Sequence, residues 1–211
     1  MSLSLSLVIP CYNEEDVLDM FYSEISGVLK SYKEEFELIF VDDGSKDGTK
    51  RIIQNIAAND ANVKYISFSR NFGKEAAMLA GLKFSKGAYV GILDADLQHP
   101  PEKIIDMIAA LDSGEYDIAA ARRVDRVGEA KLKSHFSRLF YKVINKLADI
   151  DIKEGAQDYR IMKRKVVESI INMPEYLKPA CFLKLFNRIY QNRKIVTTLV
   201  NIGKVTSFHK I

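Results

Sequence analysis

Two acidic residues set two apart, Asp94 and Asp96, follow the apolar run Tyr-Val-Gly-Ile-Leu and so stand where a buried strand emerges. Side chains two apart in an extended segment point the same way, which lets both carboxylates converge on one cation. Hard divalent ions such as Mg²⁺ and Mn²⁺ take oxygen ligands, commonly one or two carboxylates with waters and substrate phosphates in the other positions. Gln98 adds a carbonyl oxygen to that set or orients a ligand water. Asp42 and Asp43 close another apolar run, a place from which carboxylates accept hydrogen bonds from ribose hydroxyls or a base N–H. Asp-Asp-Gly-Ser is also a turn-forming sequence, and the two readings are compatible. After the first apolar run, Tyr12 offers a ring on which a nucleobase can stack, and Glu14 a carboxylate to hydrogen-bond it or to complement a helix N-terminus.

These groups need a scaffold that brings loop residues to one edge. Short β-branched runs alternate with longer helical patterns, the signature of βαβ units and a largely parallel sheet. The predicted strands are 5–9, 36–41, 63–68, 89–93 and 116–120. The predicted helices are 14–32, 48–59, 74–85 and 101–111, each with apolar residues at three- and four-residue steps. Pro101 suits the first turn of the last one, and Asp47 and Thr49 are candidate caps for the second. In open α/β sheets ligands gather beyond the carboxyl ends of strands. Here those ends release residues 10–14, 42–45, 69–73 and 94–98, all carrying polar side chains.

Bulk properties bound the answer. A chain of 211 residues with 47% apolar and 28% charged residues suits one globular domain. A net charge of +3 is too small to imply nucleic acid, and no G-x-G-x-x-G follows the first strand, which disfavours a dinucleotide oxidoreductase. The two cysteines, Cys11 and Cys181, lie far apart among apolar neighbours, so a reducing compartment is expected and neither builds a metal site. Without an apolar run of 18 or more residues, membrane contact is expected to be peripheral. Residues 131–149 form an amphipathic pattern, with Leu132, Phe136, Leu139, Phe140, Val143, Ile144 and Leu147 on one side and basic residues around the other. Such a helix packs on its own domain or lies in an anionic membrane interface.

Five phrases, at residues 8–15 (Val-Ile-Pro-Cys-Tyr-Asn-Glu-Glu), 41–49 (Val-Asp-Asp-Gly-Ser-Lys-Asp-Gly-Thr), 69–77 (Ser-Arg-Asn-Phe-Gly-Lys-Glu-Ala-Ala), 94–102 (Asp-Ala-Asp-Leu-Gln-His-Pro-Pro-Glu) and 155–162 (Gly-Ala-Gln-Asp-Tyr-Arg-Ile-Met), resemble glycosyltransferase family 2. Within it the chain is most similar to the polyprenyl-phosphate sugar transferases, the group that includes dolichyl-phosphate mannose synthase and bactoprenol glucosyltransferase. The resemblance implies a GT-A fold, meaning a Rossmann-like, mostly parallel sheet flanked by helices in a single domain. It also implies inverting transfer of a hexose from a nucleotide diphosphate sugar, UDP-glucose being the leading donor, to polyprenyl (undecaprenyl) phosphate. Mg²⁺ or Mn²⁺ is the implied cofactor. By motif position Pro10, Tyr12, Glu14 and Asp42 line the nucleoside pocket, Asp94, Asp96 and Gln98 serve the metal and diphosphate, and Asp158 takes the place of the acceptor-side carboxylate. Arg122, Arg123 and Arg126, just beyond the fifth strand, are candidates to clamp the lipid phosphate through bidentate contacts.

A phosphate monoester is already anionic at neutral pH, so Asp158 is expected to orient the acceptor; a saccharide hydroxyl acceptor would instead make it a general base. The expected location is the cytoplasmic face of the cell membrane; the resemblance makes a homo-oligomer a candidate state, which the residues themselves do not decide. The resemblance fades after Met173-Pro174, and the chain has no tryptophan where relatives carry an aromatic segment. The expected division is therefore a GT-A domain over 1–173 and a diverged or truncated tail over 174–211. That tail leaves open a third reading, a nucleotide-sugar-binding remnant without turnover.

Overall fold

The computed structural model describes residues 3–97, 100–123, 156–172 and 195–200. Seven strands form one sheet: β1 (Leu5–Cys11), β2 (Phe36–Asp42), β3 (Val63–Ser67), β4 (Tyr89–Ile92), β5 (Ile118–Arg123), β6 (Ala156–Lys163) and β7 (Ile195–Val200). Their spatial order is β3-β2-β1-β4-β6-β5-β7. All neighbours are parallel except where β6 runs against both β4 and β5. The chain leaves β1 on one side to build β2 and β3, then returns to its other side as β4. That reversal is the topological switch point at which open sheets leave a crevice.

The central strands are largely apolar on both faces, broken by the buried polar pair Ser6 and Glu37, because both faces of the sheet are covered. Leu5, Leu7 and Ile9 of β1 and Leu38 and Phe40 of β2 share one core with α1 (Leu18–Leu29), α2 (Thr49–Asn59) and α4 (Lys103–Asp112). Val8, Ile39, Val41 and Ile92 face the opposite core, built with α3 (Lys74–Phe84) and α5 (Arg164–Ile171). The helices bury the stripes their spacing dictates, such as Leu18, Phe21, Ile25 and Leu29 in α1. Helix α3 lies against β1 so closely that a Cβ on Gly81 would stand 2.2 Å from Val8 Cγ1, so only glycine permits that approach.

The five strands and four helices expected from the sequence are all present. Helix α1 begins at Leu18 instead of Glu14: residues 15–17 form a turn in which the Glu15 N–H bonds to Asp47 of the neighbouring loop and the Val17 N–H to Glu14 O, leaving the helix to start where the buried stripe starts. For α2, Asp47 does accept the Thr49 N–H at 3.0 Å, but the Thr49 hydroxyl accepts from Glu14 N at 2.7 Å instead of capping its own helix. Strand β6 and helix α5 are additions that the sequence reading lacked. Strand β7 comes from residues that reading assigned to the tail, and its backbone pairs with β5 from Ile118↔Ile195 to Arg123↔Val200.

At the amino-terminal end of β2, remote from the crevice, the buried Glu37 carboxylate accepts from Ser6 Oγ at 2.6 Å, Lys64 Nζ at 2.6 Å and Lys86 N at 2.9 Å. Burial pushes this carboxyl up, but those three donors outweigh it and hold it below the usual carboxylate value. A depressed carboxyl contributes stability above its unfolded pKa of about 4.3, and that stability is lost as pH falls through the folded value. Glu37→Gln is therefore expected to cost about 2 kcal/mol at neutral pH. The deficit should shrink as pH falls below about 4, which urea unfolding across that range checks.

Candidate functional site

Above the carboxyl ends of β1 and β4, at the switch point, lies a cleft of about 330 Å³. Its walls include Pro10, Tyr12 and Glu14 after β1, Asp43 after β2, Asn71 and Lys74 around the start of α3, and Asp94 and Asp96 after β4. Six of the residues singled out from the sequence, Pro10, Tyr12, Glu14, Asp43, Asp94 and Asp96, thus meet in one space.

The β1–α1 loop is built as half of a zipper with the β2–α2 loop. Asn13, in the left-handed conformation at φ 56°, donates its N–H to Ser45 Oγ and accepts the Lys46 N–H on its own Oδ1. Asparagine tolerates that conformation better than a branched residue would. Glu14 N and Glu15 N donate to Thr49 and Asp47, and Glu15 returns a carboxylate oxygen to Gly48 N. With its backbone fixed in this way, Tyr12 presents a ring that is 40% exposed on the cleft wall.

The paired aspartates after β2 divide their work differently from the sequence expectation. Asp42 is buried and spent on structure: Oδ1 accepts from Ser45 N and Oδ2 from Ser67 Oγ, both at 2.9 Å. It is absent from the cleft lining, and Asp43 takes that place. Asp43 accepts Phe72 N–H at 2.7 Å and Gly73 N–H at 2.9 Å, tying the turn to the start of α3. Gly44 makes this possible: at φ +69° its missing Cβ would lie 2.3 Å from the Arg70 carbonyl carbon.

Asp94 and Asp96 flank the buried Ala95, so the alternation read from the sequence carries past the end of β4. Leu93 N still bonds Val8 O at 3.0 Å, which anchors the segment that carries them. Tyr159 of β6, fully buried, donates its hydroxyl to Pro100 O at 3.2 Å and holds the far end of the same loop. Glu14 shares the cleft with both aspartates. Burial, then the charges of Asp96, Asp94 and Asp47, push its carboxyl up, and Lys74 pulls it down. That cleft concentrates negative charge and gains from a bound cation.

Among the described residues no three His, Cys, Asp or Glu side chains form a complete metal cage. Two cleft carboxylates, Asp94 and Asp96, with remaining positions left for phosphate oxygens and water, fit a hard divalent ion held partly by its substrate. Cys11 also lines the cleft, but burial pushes its thiol well up, Glu14, Asp42 and Asp94 adding to the effect, which favours the neutral thiol.

The acceptor candidates enter through the backbone. Register pairs Ile92 with Arg160 in antiparallel strands, so Asp158, two residues before Arg160, stands at the edge where Asp94 stands two residues after Ile92. Arg122 and Arg123 end β5 at that same edge. Gln98, Arg126, Cys181 and the amphipathic pattern at 131–149 lie outside the described residues. Lys74 is the cleft residue that sequence reasoning missed. Its Nζ stands 2.7 Å from Asp94 Oδ1 and 2.8 Å from Oδ2.

Comparison with known proteins decides the family. The model of Glycosyl transferase family 2 matches residues 6–171. The chain belongs to glycosyltransferase family 2. A curated relative in this family, the prophage bactoprenol glucosyl transferase homolog of Escherichia coli (strain K12), is 42% identical over 175 residues, 82% of this chain and 56% of that protein. The chain spans about half the length of the curated relatives it matches. Among solved structures, a mannosyltransferase from Pyrobaculum calidifontis in complex with GDP-Man and Mn²⁺ superposes with TM-score 0.67 at 19% identity, covering 95% of this chain and 56% of that one. Glucosyl-3-phosphoglycerate synthase from Mycobacterium tuberculosis, in complex with Mn²⁺, UDP and glucosyl-3-phosphoglycerate, gives 0.66 at 20%, covering 94% and 70%. The family 2 chain therefore has the GT-A fold expected from its motifs: a mostly parallel sheet between helical layers.

Proposed function

We propose that this family 2 chain binds a nucleotide diphosphate sugar in the cleft and transfers its hexose, with inversion, to a polyprenyl phosphate. UDP-glucose is the proposed donor, undecaprenyl phosphate the proposed acceptor, and Mg²⁺ or Mn²⁺ the proposed cofactor. The observation that carries the reading is the convergence of Asp94 and Asp96 with Pro10, Tyr12 and Glu14 at the switch point. The lipid acceptor is supported by a relative named for bactoprenol glucosyl transfer.

The order of the strands supplies a division of labour. Nucleoside-side residues follow β1 and β2, the carboxylate pair follows β4 in the middle, and Asp158 and the arginines of β5 lie beyond β4 on the other side. Donor and acceptor can thus approach the sugar carbon from opposite sides, as inversion requires. Tyr12 stacks the base, Glu14 hydrogen-bonds the nucleoside, and Asp94 and Asp96 hold the cation. When bound, that cation neutralises the charge growing on the departing diphosphate. An acceptor phosphate arrives already anionic, so Asp158 positions it without having to remove a proton, and Arg122, Arg123 and Arg126 offset its charge. Among the described residues no helix is long and apolar enough to cross a membrane. The proposed location is peripheral, at the cytoplasmic face of the cell membrane.

A panel of labelled nucleotide sugars, incubated with the chain, Mn²⁺ or Mg²⁺ and short-chain polyprenyl phosphate, tests this. The expected result is label moving into organic extract from one donor only, and only with the lipid phosphate present. Label reaching saccharide hydroxyls but never the lipid phosphate overturns the acceptor; donor binding without turnover on any acceptor overturns the enzyme.

A further inference from the structure

Lys74 is the first residue of α3, and its side chain spans the cleft to straddle both oxygens of Asp94, 20 residues further along the chain. Its backbone cannot follow a ligand, because Asp43 clamps Phe72 N and Gly73 N just before it. Its four-carbon stem can. The ammonium occupies the very oxygens that a divalent ion would take, and ammonium and metal repel one another at such range. A lysine displaced from Asp94 stays tethered at the cleft wall, within the space that an anionic diphosphate would enter.

We propose that Lys74 is an exchangeable counter-ion: it satisfies Asp94 in the metal-free protein, gives that carboxylate up to the divalent ion, and transfers its ammonium to the donor's diphosphate. The inference rests on the nucleotide-sugar reading of the cleft and adds a residue to it. It gives Lys74 opposite effects on the two ligands, competing with the cation and assisting the nucleotide.

Calorimetry on the full chain separates these effects, using Mn²⁺ alone and then UDP in saturating Mn²⁺. Lys74→Met is expected to bind Mn²⁺ about five-fold more tightly, by loss of a competing ion pair, and UDP about ten-fold more weakly. Lys74→Arg, which keeps the charge, should hold UDP affinity within about two-fold of wild type. Unchanged or weaker Mn²⁺ binding by Lys74→Met, or unchanged UDP affinity, overturns the exchange. Asp94→Asn is the control for the underlying reading. If wild type binds Mn²⁺, Asp94→Asn does not, and Lys74→Met behaves as wild type, the exchange alone fails. If wild type binds neither ligand, the cleft assignment fails with it.

Discussion

Asp94→Ala and Asp96→Ala are each expected to lower kcat for hexose transfer by about 10³-fold or more, with little change in thermal stability. The size follows from the role proposed for the two carboxylates. On that reading the leaving diphosphate gains charge as its bond to the sugar breaks, and a cation held by few protein ligands would offset it. Removing either carboxylate would then withdraw the largest electrostatic contribution to the transfer. Stability is spared because Asp96 is exposed and Asp94 sits at the rim of the cleft, where its carboxylate adds to the crowding of like charge around Glu14. Steady-state assay of each variant beside a thermal melt distinguishes lost chemistry from lost fold. Unchanged turnover in either variant contradicts the assigned role.

Asp43→Ala is expected to damage both fold and function. Asp43 is 3% exposed and accepts two backbone N–H groups that precede α3. Losing it leaves Phe72 N and Gly73 N without their carboxylate partner, a cost of about 3 kcal/mol. The start of α3 also carries Lys74 and neighbours Asn71, both on the cleft wall, so donor affinity should fall by about ten-fold as that wall relaxes. Asp43→Asn retains one acceptor oxygen and should lose about half as much stability. Urea unfolding and UDP titration of both variants check the ranking; an Asp43→Ala protein as stable as wild type would show that the clamp is unimportant.

The parallel half of the sheet was legible because β1, β2 and β4 are mostly apolar runs that end at polar loops, and each crossover helix declares itself by a buried stripe such as Ile104, Met107, Ile108 and Leu111. Strand β6 was not. It opens on Ala-Gln-Asp, carries the buried Arg160 at its centre, and reaches its place between β4 and β5 only through long-range pairing. The site shows the same division. Asp94 and Asp96 were readable because an apolar run points them out of the sheet. Which of Asp42 and Asp43 lines the cleft depended on which of two adjacent side chains the turn at Gly44 aims at Ser67 and which at the start of α3. Lys74 was hidden because a lysine at a helix start reads as solvated. Its signal was the Gly-Lys pair after β3, at the same edge of the sheet as Asp94, and only the fold brings the two together.

Crystals of the chain soaked with UDP and Mn²⁺, with the ion located by its anomalous scattering, address the cleft most directly. The ion is expected against the carboxylates of Asp94 and Asp96, bridging to the UDP diphosphate, with the uracil ring beside Tyr12. An ion bound elsewhere, or a diphosphate out of reach of both aspartates, would contradict the account.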